Sequence, residues 1–388
     1  MSSLLTPRQI FEKLVSFPTV SRDGNLALVD WVEGYLAEAG IAASRVWNPA
    51  RSKAGLYAHA GPQVAGGVML SGHSDVVPVD GQDWSSDPWE LTERGGRLYG
   101  RGACDMKGFD ALAIWAMVEA QRAEVARPLQ LALTYDEEFG CLGAPPLIAQ
   151  MAREGFPKAA AVVVGEPSMM QVVTGHKGNI GFGIRLRGHE VHSSLQHRGV
   201  SAVMEAGRLI QWANEANDRN RARAPEGDDG LFDPPWTSVH VGEIAGGTAQ
   251  NITAADCRMG LDYRCVPSDS LEACRAALLA EVARIEAGMK AVHPEAGIAV
   301  EETFSVPALA PEQDGAAEAL ARRLTGDNAT HVVSYATEAG QFQEGGFSTV
   351  VCGPGDIAQA HQPDEYITLE QFRQGEAFMT RLLAHLQE

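Results

Sequence analysis

Apolar and polar positions change period along the chain, and each change marks a different kind of element. Thr6-Pro7 offers a capping hydroxyl followed by proline at a first helical position, and Ile10, Leu14 and Phe17 follow at helical spacing. A second helix is predicted over 25–39, ended by Gly40. The pattern then becomes short continuous apolar runs at 68–71, 129–134, 160–164 and 349–352, bounded by turn residues, which read as buried strands. A helical stretch at 108–124 separates the first two. Strand–helix–strand alternation predicts an α/β fold with a mixed, mostly parallel sheet and helices on both faces.

From 178 onward the period is two. Ile180, Phe182, Ile184 and Leu186 alternate with Gly181, Gly183, Arg185 and Arg187, the pattern of a half-buried strand. A helix at 201–216, a polar loop at 218–235, strands at 237–244 and 256–265, a helix at 269–292 and a strand at 298–302 complete a β-α-β-β-α-β order. That is a ferredoxin-like βαββαβ unit. The expected division is one domain from 1–177 and 303–388, with 178–302 inserted.

Composition narrows the function. Among 388 residues, Lys plus Arg number 31 and Asp plus Glu 50, a formal charge of −19, which disfavours nucleic acid and anionic membrane as partners. The N-terminus lacks the pattern of a secretory signal, and no apolar stretch has the roughly 18 residues of a membrane span. The six cysteines include no C-x-x-C pair, so a cytoplasmic protein with reduced thiols is expected.

Chemistry gathers after the strands. Gly72-His73-Ser74-Asp75 follows the first, Asp136-Glu137-Glu138 the second, Gly165-Glu166-Pro167 the third, and Ala360-His361-Gln362-Pro363-Asp364-Glu365 the last; Cys104-Asp105-Met106-Lys107 opens the long helix. In an open α/β sheet these segments meet beyond the carboxyl ends of the strands. Two imidazoles and several carboxylates suit zinc and similar divalent ions, and a pair of metals about 4 Å apart needs a bridging carboxylate with terminal ligands on each side. Asp75 could accept the second ring N–H of His73. A further carboxylate is free to act as general base, and the residues alone leave open whether Glu137 or Glu138 does so. Each piece alone has a plain structural reading, but carboxylates gathered at one sheet end repel one another unless a cation neutralises them.

GHSDVVP, GRGACDMKG, DEEFG, GEP and AHQPDE resemble, in order and spacing, the motifs of the metallopeptidase M20 family, over nearly the whole chain. The resemblance implies two Zn2+ per chain, with Co2+ as an alternative. His73, Asp105 and Glu166 would hold one metal, and Asp105, Glu138 and His361 the other. Glu137 would be the general base, and Asp75 would orient His73. It makes 1–177 and 303–388 the zinc-dependent catalytic domain and 178–302 a lid and dimerisation domain, so a homodimer is expected. His192 would enter the partner subunit's site, Asn251 would face substrate and Arg264 would grip its carboxylate. Tyr335-Ala336-Thr337-Glu338-Ala339-Gly340 resembles the family's acetylornithine deacetylase branch, with Glu338 as an anion for a cationic side chain. The implied reaction is hydrolysis of an N-acyl amino acid, N-acetyl-L-ornithine first, within arginine biosynthesis. Other N-acyl amino acids, succinyl-diaminopimelate, auxin–aspartate conjugates and peptides are the alternative substrates. A non-catalytic metal-binding scaffold on the same fold is the alternative of another class.

Overall fold

A computed structural model describes residues 4–388. Helix α1 (Pro7–Val15) begins under a reciprocal cap in which the Gln9 amide donates to Thr6 Oγ1 and the Thr6 amide to Gln9 Oε1. Then come α2 (Leu26–Glu38), β1 (Ala43–Trp47), β2 (Ala54–Ala60), β3 (Val68–His73), β4 (Thr92–Arg94), β5 (Arg97–Tyr99) and α3 (Lys107–Arg122). They are followed by β6 (Leu129–Thr134), α4 (Ala144–Arg153), β7 (Ala161–Pro167) and β8 (Val173–His176). The middle of the chain forms β9 (Gly178–Arg187), α5 (Ala202–Ala222), β10 (Ser238–Gly246), β11 (Asp256–Cys265), α6 (Leu271–Val292) and β12 (Gly297–Val306). The rest holds α7 (Ala316–Thr325), β13 (His331–Val333), α8 (Ala339–Glu344), β14 (Thr349–Gly353), β15 (Tyr366–Thr368) and α9 (Leu369–Gln387).

The chain forms two compact units. The first comprises the chain up to Gly175, Leu309–His331 and Thr337–Glu388; the second comprises His176–Ala308 and Val332–Ala336. The described residues build an eight-stranded sheet in the order β1-β2-β6-β3-β7-β14-β8-β13. Its centre is parallel: β3 pairs with β6 and β7, and β14 with β7, while β1, β2 and β8 join antiparallel. Every residue of β3, β6, β7 and β14 is buried, so helices cover the sheet and the strands read as unbroken apolar runs. Parallel pairing sends the carboxyl ends of all four strands to one edge. Among the described residues no helix is long and apolar enough to cross a membrane.

The second unit is a four-stranded antiparallel sheet, β10-β11-β9-β12, whose inward residues pack with α5 and α6 into a separate core. The sequence reading ends the insertion at 302, inside β12, which runs on to Val306. A register shift between Glu302 and Phe304 breaks the two-residue alternation there. Likewise α5 continues past 216 to Ala222 on a stretch with no apolar stripe. Asn217 and Asn220 hold it by donating to the carbonyls of Val239 and Thr237, at 2.8 and 2.7 Å.

Candidate metal centre

His73 is the last residue of β3, Glu166 lies near the end of β7, Glu137 and Glu138 follow β6, Asp105 precedes α3, and His361 follows β14. The strand ends bring these residues together within the first unit. Asp105 sits between the two imidazoles: His73 Nε2 is 2.9 Å from Asp105 Oδ1, and His361 Nε2 is 3.3 Å from Asp105 Oδ2. Glu166 Oε1 lies 3.6 Å from His73 Nε2, and Glu138 Oε2 lies 3.1 Å from His361 Nε2. Ligand atoms of His73, Asp105 and Glu138 lie within 4.8 Å of one another, as do those of His73, Glu137 and Glu166. His361, at a left-handed φ of 62°, is the exposed member; His73, Asp105 and Glu166 are buried.

Asp75 does something other than the sequence reading expects. His73 Nδ1 donates to the backbone carbonyl of Asp75 at 2.9 Å, whereas the Asp75 carboxylate is 3.8 Å away. The carbonyl therefore holds Nδ1–H and turns Nε2 toward the acidic residues, where it donates to Asp105 when protonated and offers a lone pair to a cation when that proton is displaced. The Asp75 carboxylate is taken by Ser21 Oγ at 2.7 Å and by the amides of Glu137 and Glu138 at 3.2 and 3.4 Å. It holds the turn that carries the adjacent glutamates.

The electrostatics are those of an acid-rich cavity. Burial, with the Glu138 and Asp105 charges, pushes Glu137 up to about 8 against the pull of His73. Burial and Asp105 push Glu138 up to about 7. Burial and the neighbouring carboxylates raise Glu166 well above its ordinary value. Hydrogen bonds to Asp105 and Glu138 lift His361 to about 10. For Asp105, burial works upward but is outweighed by hydrogen bonds from His361 and His73, which hold it well below the usual carboxylate range. Buried oxygens Glu138 Oε1 and Glu166 Oε1 have no hydrogen-bond partner. Buried oxygens without donors, beside imidazole nitrogens that can give up a proton to a metal, fit divalent cations.

Glu338 is buried rather than open to a ligand. It is 1% exposed, and its two oxygens accept from Ser71 Oγ at 2.5 Å and Thr134 Oγ1 at 2.7 Å. A pocket anion needs an exposed oxygen, whereas both Glu338 oxygens are engaged by strand residues beside His73. The second unit carries the other three residues. His192 is exposed, and its Nδ1 accepts from the Ser194 amide at 3.2 Å, which leaves Nε2–H to donate outward. The Ser193 amide donates to Asn251 carbonyl at 2.8 Å, and His192 bridges Ile252, so His192 and Asn251 are neighbours. Arg264 lies near the far end of β11 from them, half-buried, with Nε 3.3 Å from Asp262 Oδ2.

Two supports escape the motif reading. Cys141 donates from Sγ to Glu137 Oε1 at 3.1 Å, a contact four residues along that the DEEFG segment gives no cue to. Glu365 accepts from the amides of Gly102, Cys104 and Asp105 and from Arg101 Nη1, at 3.1, 2.8, 3.1 and 2.6 Å. Its signal is in the sequence, a charged pair shared between the GRGACDMKG and AHQPDE segments.

Residues 69–385 match the model of peptidase family M20/M25/M40. The chain is 36% identical to an acetylornithine deacetylase of Myxococcus xanthus, over 97% of both chains. It is 32% identical to one of Edwardsiella ictaluri, over 97% of this chain and 96% of the other. Among solved structures, an M20 family metallo-carboxypeptidase from Sulfolobus solfataricus has the same fold, at a TM-score of 0.81 and 17% identity, covering 99% of this chain and 100% of that one. With more than half its length matched and full-length relatives above 30% identity, the chain belongs to peptidase family M20/M25/M40.

Proposed function

We propose that this chain is a two-metal amidohydrolase that removes the acyl group of an N-acyl amino acid, with N-acetyl-L-ornithine as substrate and L-ornithine and acetate as products, within arginine biosynthesis. The observation that carries the reading is Asp105 between two imidazoles with the buried carboxyl of Glu137 alongside. The full-length relatives named acetylornithine deacetylase support the choice of substrate.

His73, Asp105 and Glu166 would hold one zinc, and Asp105, Glu138 and His361 the other, with cobalt suiting the same donors. Bound cations supply Lewis acidity at the scissile carbonyl and a more acidic water. Glu137 takes the proton of the attacking water and returns it to the leaving amine; burial, which raises its proton affinity toward neutrality, suits both directions of transfer. Cys141 and the turn held by Asp75 keep Glu137 in place. Arg264 offers a planar two-pronged donor for the substrate carboxylate.

The second unit serves as lid and dimerisation domain, and the enzyme is a homodimer. The spacing of its three substrate residues supports this. Asp256 and Arg264 are eight strand residues apart on β11, roughly 26 Å, and the His192–Asn251 pair lies beyond the Asp256 end. In this reading Arg264 would come from one copy and His192 and Asn251 from the other. His192 Nε2–H then donates to the oxyanion in trans.

The test is a panel of N-acetylornithine, neutral N-acetyl amino acids, succinyl-diaminopimelate and dipeptides on protein reconstituted with zinc or cobalt, read by amine release. N-acetylornithine should give the highest kcat/KM. Glu137→Ala should cut kcat by about 10²–10⁴ with metal content unchanged. Full turnover by that variant, or no turnover of any amide by the native protein, rejects the reading.

A further inference from the structure

In the second unit two thiols meet. Cys265 ends β11 and is 1% exposed; Cys274 lies in the first turns of α6 and is half-buried. Their Sγ atoms are 3.5 Å apart, in contact, with both cysteines free. The remaining cysteine of this unit, Cys257, makes its sulfur contact with the Arg258 carbonyl, so no third thiol competes for the pair. The backbone around them is held. The Tyr263 hydroxyl donates to the Cys274 carbonyl at 3.2 Å, and the Cys274 amide donates to the Ser270 carbonyl at 3.1 Å. A disulfide needs its sulfurs about 2 Å apart, so closure asks for about 1.5 Å of sulfur movement, within reach of side-chain rotation.

The two thiols are not equivalent. Cys274 is the one solvent reaches, near the helix N-terminus, where backbone N–H groups favour a thiolate. The hydrogen bond with Cys265 lowers Cys274, while the same bond and burial raise Cys265. Cys274 is therefore the attacking sulfur and Cys265 the resolving one.

We propose that Cys265 and Cys274 are a reversible dithiol–disulfide site oxidised by hydrogen peroxide. The Cys274 thiolate attacks one peroxide oxygen, the O–O bond breaks, and the departing hydroxide takes a proton to leave as water. Cys274 is then a sulfenic acid. Cys265 Sγ attacks the Cys274 sulfur, the S–O bond breaks, and the Cys265 proton leaves with that oxygen as a second water. Two thiols lose two electrons and one peroxide is reduced to two waters. The bond ties the end of β11, one residue after Arg264, to α6. The chemistry is independent of the role proposed for Arg264.

The test follows from the sequence, because Arg264 and Arg275 bracket the pair and trypsin releases both cysteines in one peptide, 265–275. The native, metal-loaded protein is treated with peroxide, denatured, alkylated and digested. The expected peptide is two hydrogens lighter than its dithiol form and carries no alkyl group, and dithiothreitol before alkylation restores two alkyl groups. In Cys265→Ser, Cys274 should instead be trapped by dimedone as a sulfenic acid. Two alkyl groups on the peptide after peroxide, or direct passage of Cys274 to sulfinic acid in the native protein, overturns the proposal. The native measurement decides even where the variant fails to fold.

Discussion

At the scale of single residues, the centre depends on which atom of a side chain or backbone does the work. Asp75 serves His73 through its carbonyl and the glutamate turn through its carboxylate, two tasks that its position two residues after the histidine does not separate. Glu338 makes the same point in reverse. A glutamate in a segment resembling the acetylornithine branch invites a role against a cationic substrate, yet its two oxygens are engaged by Ser71 and Thr134 under the sheet edge. Burial and these contacts engage both oxygens, and burial raises its pKa. Glu338→Gln should therefore leave the ratio of kcat/KM for N-acetylornithine over N-acetyl-leucine within about twofold of the native value. A tenfold fall in that ratio, measured on metal-loaded protein, would return Glu338 to the substrate pocket.

At the scale of elements, the ligand loops are tied to each other before any metal arrives. Glu365, between the His361 loop and β15, clamps the loop that carries Asp105 through three amides and the buried Arg101 guanidinium. Both members of this ion pair have side chains 1% exposed. Glu365→Ala would strand the Arg101 charge and free the Asp105 loop. It should cost about 3–5 kcal/mol of stability by urea unfolding, and weaken metal binding about 10–100-fold in a chelator competition. The parallel strands that position these loops were legible in the sequence because strands buried on both faces leave unbroken apolar runs. The three-residue strands β4, β5, β13 and β15 were not, being too short to display a period. The candidate metal donors were legible as residues because each lies at or beyond a strand end or, for Asp105, at the start of the long helix. What a linear motif could not give is the side of the sheet edge on which Glu338 falls, the far contact of Cys141, or the separation of Arg264 from His192 and Asn251 along β11. Those are set by pairing and burial, not by spacing.

At the scale of the whole molecule, a charge of −19 is added to an acid cluster that the fold buries, so cations and protons compete for the same groups. Glu137 and Glu138 lie at about 8 and 7 in the folded metal-free chain, above their unfolded value, so the folded state binds more protons than the unfolded one between about pH 4.5 and 8. His361, raised to about 10, adds stability that is complete below about pH 6.5 and is lost as pH rises toward 10. All three act in one direction, and buried Lys107, lowered to about 7, opposes them only above that pH: the Tm of chelator-treated protein should fall as pH rises from about 5 to 7, and zinc should raise Tm more at about pH 7 than at 5. A Tm of the metal-free protein that is flat or rises over that range would mean that these groups do not carry shared protons. The dimer can be tested by mixing two inactive enzymes, Glu137→Ala and His192→Ala. If His192 acts in trans, a mixed dimer has one dead centre and one intact centre, the latter formed by the Glu137 of one chain and the His192 of the other. Random exchange of subunits makes half the dimers mixed, so the mixture should regain roughly one quarter of native activity. If His192 acts within its own chain, every centre in every dimer lacks one of the two residues. The mixture then stays as inactive as its parents, and that result would overturn the two-chain centre.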